Sequence, residues 1–147
     1  LGPWAACIAI TVALAIQALL FGDGGITAIG ANAFNMAFIL PFAGYYIYRI
    51  ISYKASLSSQ RRVVAAGVAG YLAVTLAALF TGIELGVQPL LQRLPGGQNF
   101  YFPYELKTAL QVMLGGHLLV IGWVEAVVTG LVIKYLQKSS SNIFKCE

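Results

Sequence analysis

Apolar residues along this chain gather into four long blocks, and the polar positions gather between them. The first block runs from Leu1 to about Phe21, interrupted by Thr11 and Gln17, with Pro3 near its start, where a missing N–H costs least. The second runs from about Ala31 to Tyr53, with Asn35 and Pro41 as its irregularities. The third covers Val63 to about Leu85, ending on Glu84, and the fourth covers about Leu106 to Leu136 and contains His117 and Glu125. Blocks of about 20 residues, rising about 1.5 Å per residue, are long enough to cross a hydrocarbon core of about 30 Å. Lipid offers no partners to free backbone groups, so each block is predicted to be a helix. A membrane barrel would show short segments of strict alternation, and none is visible. The expected fold is all-α: a polytopic transmembrane helix bundle, one domain, with spans at about residues 1–21, 31–53, 63–85 and 106–136.

Composition sharpens this picture. Hydrophobic residues make up 59% of the chain and charged residues 10%, more oil than a soluble domain can hide. Charge then sets the orientation. Arg49, Lys54, Arg61 and Arg62 cluster around the link between blocks two and three, and Lys134, Lys138 and Lys145 cluster at the end. Both regions are expected in the cytoplasm, the C-terminus included. The links 22–30 and 86–105 carry only Asp23, Arg93 and Glu105, so they and Gln98 are expected outside. Tyr45, Tyr46, Tyr48 and Tyr53 would line the inner interface, and Phe100, Tyr101, Phe102 and Tyr104 the outer one. A net charge of +4 is explained by this arrangement, with the bilayer as partner and no nucleic acid. Cys7 and Cys146 make no metal-ligand spacing and read as free thiols.

Several positions carry chemistry that a plain span does not need. Gly22, Gly24, Gly25 and Gly30 permit positive φ and close backbone approach, which suits either a tight hairpin or a loop that touches a ligand. No lysine follows them as in a phosphate loop. Asn32 and Asn35 lie three apart and, on an α-helix, share a face at the outer mouth of the second span. They are read either as capping and interhelical hydrogen-bonding residues or as part of the frame of a pocket. His117, the single histidine, is a metal-ligand candidate, but the favoured reading is an interhelical hydrogen bond. Glu125, about 12 Å further along, needs a partner from another helix or a proton of its own. Glu84 is read as solvated at the outer end of its helix. Small residues at four-residue spacing, Ala5/Ala9/Ala13, Ala66/Gly70 and Ala73/Ala77, permit close helix contact. Pro41 is expected to kink the second helix.

The segment GGITAIGANAFNMAFILPFAGYYIYR, Gly24 to Arg49, closely resembles the one that marks the CbiM and NikM family, the substrate-binding membrane subunits of energy-coupling-factor transporters for cobalt and nickel. The resemblance extends through QPLLQRLPGGQNFYFPYELKTALQVMLGGHLLVIGWVEAVVTGLVIKYL. It implies a prokaryotic plasma-membrane subunit that captures Co²⁺ or Ni²⁺ as substrate, with no cofactor of its own. It also implies a membrane coupling subunit, separate ATPase subunits and a small accessory membrane protein as partners. The chain itself is then no enzyme. Members of that family hold the metal through a Met-His-Ile start and a histidine in an upstream glycine-rich loop, neither of which is in this chain. The chain therefore reads as the C-terminal part of a seven-helix protein and inherits no metal ligand. By the same resemblance, Asn32, Asn35 and Asp23 would support the inserted N-terminal segment from behind. Such an amine, amide and imidazole set suits Ni²⁺ and Co²⁺, with Cu²⁺ the strongest competitor. Two other readings remain open at this point: an intramembrane enzyme using His117 and Glu125, and a structural or coupling subunit that binds no solute.

Overall fold

The computed structural model describes residues 2–91 and 102–143, the side chains of residues 140–143 excepted. Expectations placed on Leu1, Arg93, Gln98, Phe100, Tyr101, Lys145 and Cys146 lie outside the described residues. Among the described residues, four helices are long and apolar enough to cross a membrane: Pro3–Phe21, Ile26–Ile51, Gln60–Leu91 and Leu106–Ser139. No strand occurs among the described residues. The chain is an all-α, multi-pass membrane protein.

Two helices outrun their expected spans for local reasons. The second begins at Ile26, not near residue 31, because Gly22, Gly24 and Gly25, at φ between 68° and 75°, complete the turn in four residues. The first helix ends on the left-handed Gly22, whose N–H bonds back to the Gln17 carbonyl, as αL-capped helices do. The third helix runs past Glu84 to Leu91, with Pro89 inside its last turns.

The third helix is the centre of the bundle. Its buried residues are all small, among them Ala66, Gly67, Ala69, Ala73, Ala77, Gly82 and Gly86. A Cβ added to Gly67 would lie 2.9 Å from the Ala126 carbonyl oxygen, and one on Gly86 would overlap Leu106. Without a hydrophobic drive between helices in lipid, such close backbone approach is what holds spans together. The large apolar residues, such as Trp4, Ile8, Leu119, Trp123 and Val127, face outward, as lipid requires. Ala5, Ala9 and Ala13 also face outward, so the ladder of the first helix packs on nothing within this chain, unlike Ala66, Ala73 and Ala77.

Among the described residues, three π-helical stretches widen the regular turn: Gln17–Phe21, Ala33–Ile39 and His117–Ile121. The second directly precedes Pro41, whose ring clashes with an α-helical turn and which has no N–H to give. Proline's disturbance is thus taken up over seven residues. Around the third, Tyr71 donates its hydroxyl to the Leu118 carbonyl at 3.0 Å, satisfying backbone at the widened turn. Gly122 makes room for the Tyr71 ring, which a Cβ there would meet at 2.8 Å.

At one end, Arg61 Nε donates to the Ile51 carbonyl at 2.7 Å, and Arg62 donates to Ala55, Ser56 and the Tyr48 hydroxyl. Gln137 of the fourth helix reaches the Leu57 carbonyl at 2.7 Å. The two lysine- and arginine-rich regions therefore share one end of the bundle. The arginines that signal topology also cap the loop that carries them.

Candidate functional site

The glycine-rich loop and the helices beside it form a pocket at the opposite end of the bundle, called the outer end below. Its volume is about 290 Å³, and Gln17, Asp23, Gly24, Asn32 and Met36 lie in its lining. The local sequence explains the shape. Asp23 N–H bonds the Gln17 carbonyl at 3.2 Å, and Asn32 Nδ2 donates to the Gly24 carbonyl at 3.1 Å. Gly24 stands at φ 74°, and a Cβ on it would come 2.7 Å from Asn32 Nδ2. Only a residue without a side chain fits both the backbone and its clasp. Gln17 is a lining residue that sequence reasoning passed over; its signal was a lone amide one turn from the end of an otherwise apolar helix.

Asp23 and Asn32 are thus brought together, and Asn35 is not with them. On a regular α-helix, positions three apart sit on one face; here the π-helical stretch begins at Ala33, and its wider turn rotates Asn35 away. Asn35 points instead to the third helix, where its Nδ2 donates to Glu84 Oε2 at 2.6 Å. Asn35 is 3% exposed, and its Oδ1 is buried without a hydrogen-bond partner. This corrects the reading of Glu84: the carboxylate is half-buried and held by an amide from another span.

His117 is also corrected. Its Nδ1 lies 2.8 Å from the Met113 carbonyl, one turn back on its own helix, so the imidazole donates within the helix, not between helices. It does not line the outer pocket. Glu125 lines a different cavity at the inner end, where it accepts a 2.7 Å bond from Thr129 Oγ1. The pairing that an intramembrane enzyme would need is therefore not assembled. Among the described residues, no three His, Cys, Asp or Glu side chains gather to hold a metal. The outer pocket offers amide and carboxylate oxygens and a thioether, groups that can orient an inserted polypeptide by hydrogen bonds.

Comparison with known proteins identifies the family of the chain. The profile of the family described as CbiM, cobalt uptake substrate-specific transmembrane region, matches residues 1–143. The fused nickel transport protein NikMN of Rhodobacter capsulatus is 45% identical over 143 residues, covering 97% of this chain and 41% of that protein. The cobalt transport protein CbiM of a Nostoc species is 42% identical over 87 residues, covering 59% of this chain and 30% of that one. A transition metal transporter of known crystal structure superposes with a TM-score of 0.88 at 56% identity, over 96% of this chain and 60% of that chain. The matches span about three-tenths to three-fifths of the length of these longer relatives.

Proposed function

Because the chain belongs to the CbiM/NikM family of cobalt uptake transmembrane regions, we propose that it forms the supporting wall of a subunit that captures Co²⁺ or Ni²⁺ for uptake. The observation that carries this reading is the outer pocket, where the Asn32–Gly24 clasp shapes a loop beside Gln17 and Asp23 without supplying a metal-binding cluster. A wall of this kind acts on the metal through the groups it orients. In that role Asn32 and Asp23 hold an N-terminal segment of the longer protein that brings the nitrogen ligands, and the metal is substrate, not cofactor. Asn35 acts one step further back, by tying the second helix to the third under the pocket.

In this reading the protein spans a prokaryotic plasma membrane with the outer pocket facing out and the C-terminus in the cytoplasm, by the distribution of lysine and arginine. Uptake is driven by separate ATPase subunits through a membrane coupling subunit. No phosphate-loop sequence with its lysine occurs in the chain. The chain spans 41% of the fused nickel transport protein and 60% of the solved transporter, and the reading takes the nitrogen ligands from the remainder of such a longer protein.

Calorimetry with Ni²⁺ and Co²⁺ tests the reading. Residues 1–147 alone are expected to bind neither tightly. In the longer protein, Asn32→Ala and Gly24→Ala are expected to weaken binding by about 10–100-fold, the usual cost of losing a group that orients a ligand. His117→Ala is expected to leave it unchanged. Tight one-to-one binding by residues 1–147, abolished by His117→Ala, would overturn the reading.

A further inference from the structure

Four cations surround the loop between the second and third spans: Arg49, Lys54, Arg61 and Arg62. No Asp or Glu occurs between Asp23 and Glu84, so none of them has a carboxylate within that stretch. Two of the four are engaged by the protein itself. Arg61 and Arg62 donate to the Ile51, Ala55 and Ser56 carbonyls and to the Tyr48 hydroxyl. Arg49 and Lys54 are exposed and largely unengaged. Arg49 uses its fork of N–H donors once, at 3.3 Å to the Tyr45 hydroxyl, and Glu125, the nearest carboxylate along its cleft, accepts from Thr129 instead. Lys54 Nζ stands 5.3 Å from the Tyr53 ring centroid and, among the described residues, has no hydrogen-bond partner. Its backbone is at φ 57°, so a cation occupies a position that glycine would fit with less strain.

These two cations border one outward-facing groove of about 420 Å³, lined by Tyr46, Arg49, Ile50 and Tyr53. The spacing of the four puts them on a single helical face. Tyr46, Ile50 and Tyr53 are all exposed, so nothing in this chain covers the groove. From Tyr46 to Ile51 the helix rises about 8 Å, the depth of a headgroup layer that is about 5–8 Å thick on each side of the hydrocarbon. Long basic side chains at a helix end reach the phosphates of that layer, while tyrosine rings lie beside the glycerol. A zwitterionic lipid carries its own cation beside the phosphate and would leave Arg49 and Lys54 without a counter-charge. A free phosphate would meet the cations and leave the rings and Ile50 uncovered. A polypeptide would need a carboxylate placed between the two cations. An anionic phospholipid has both the charge and the apolar stem.

We propose that this groove binds one anionic phospholipid in the leaflet at the lysine- and arginine-rich end, with Arg49 and Lys54 on its phosphate and Tyr46, Ile50 and Tyr53 along its glycerol and upper acyl chains. The site stands on the membrane fold and is independent of which metal is carried.

The test uses the longer protein, purified in detergent and titrated with phosphatidylglycerol or with phosphatidylcholine of the same acyl chains, while native mass spectrometry counts the lipids bound. At about 1 kcal/mol for each cation near a lipid phosphate, two cations are expected to favour phosphatidylglycerol by about 30-fold. Arg49→Gln or Lys54→Gln is expected to leave about 5-fold of that preference, and the double variant none, with phosphatidylcholine binding unchanged. Lys107→Gln with Lys134→Gln removes two exposed cations elsewhere and is expected to keep the preference. No preference in the parent protein, or an equal loss in both double variants, would overturn the proposal. Inorganic phosphate is expected not to displace the lipid; displacement would make this a free-phosphate site and overturn the lipid assignment. A second measurement leaves both cations in place. A benzophenone amino acid replaces the exposed Ile50 in the native membrane, and its adducts are mapped after irradiation. Adducts to phospholipid are expected, and adducts only to polypeptide, of the longer chain or of another subunit, would overturn the proposal.

Discussion

Replacing Asn35 and Glu84 singly and together measures the contact that joins the second and third helices beneath the outer pocket. The Nδ2–Oε2 distance is 2.6 Å, and Asn35 is 3% exposed, so water does not readily replace the carboxylate at the amide. A hydrogen bond to a charged group contributes about 1.5–3 kcal/mol in proteins, and interhelical bonds in membranes reach about 1.7 kcal/mol. Asn35→Leu keeps the volume, removes the donor and leaves the carboxylate alone, at a cost of about 1.5 kcal/mol. Glu84→Met leaves Nδ2 unsatisfied beside an Oδ1 that already has no partner, at a cost of about 2 kcal/mol. The double substitution removes every unsatisfied group at once. Replacing both partners by apolar groups of similar shape is close to neutral, so its cost is expected within about 0.5 kcal/mol of zero. The coupling energy is then about 3 kcal/mol, at the upper end of what contacting residues show. Thermal unfolding in detergent micelles reads this directly. At about 2–4 °C per kcal/mol, the single variants lose about 3–8 °C and the double variant stays within about 2 °C of the parent. A double variant that falls by the sum of the singles, about 7–14 °C, would show that the two side chains do not interact and would refute the argument.

Two further outcomes follow from geometry on other parts of the bundle. Gly86→Ala places a Cβ against Leu106, backbone included, so it is expected to cost about 1–3 kcal/mol by forcing the third and fourth helices apart, while Gly115→Ala, with no atom within 4 Å of its added Cβ, is expected to be tolerated; thermal midpoints of the two variants decide this. If the lysine- and arginine-rich end is cytoplasmic, as proposed, an impermeant thiol reagent applied to intact cells is expected to label a cysteine at 26 and spare one at 57, and the reverse pattern would invert the topology.

The number of spans was legible in the sequence because it depends on a one-dimensional quantity, the length of apolar chain, and because lipid leaves the backbone no option but the helix. That the two basic regions share an end was legible for the same reason, since four antiparallel spans return the chain to the same side each second crossing. Asp23 and Asn32 could be placed at one mouth from their positions on either side of a glycine turn. Which residues face each other could not be placed, because that depends on the width of every helical turn between them. A π-helical stretch ahead of Pro41 turned Asn35 from the pocket to Glu84, where an α-helix would have kept it beside Asn32. His117 met its own Met113 carbonyl instead of another helix, and Ala5, Ala9 and Ala13 faced outward while the equally small Ala66 and Ala73 were buried. Spacing alone cannot separate these cases: each is settled by where the neighbouring backbones lie, and only the packed bundle sets that.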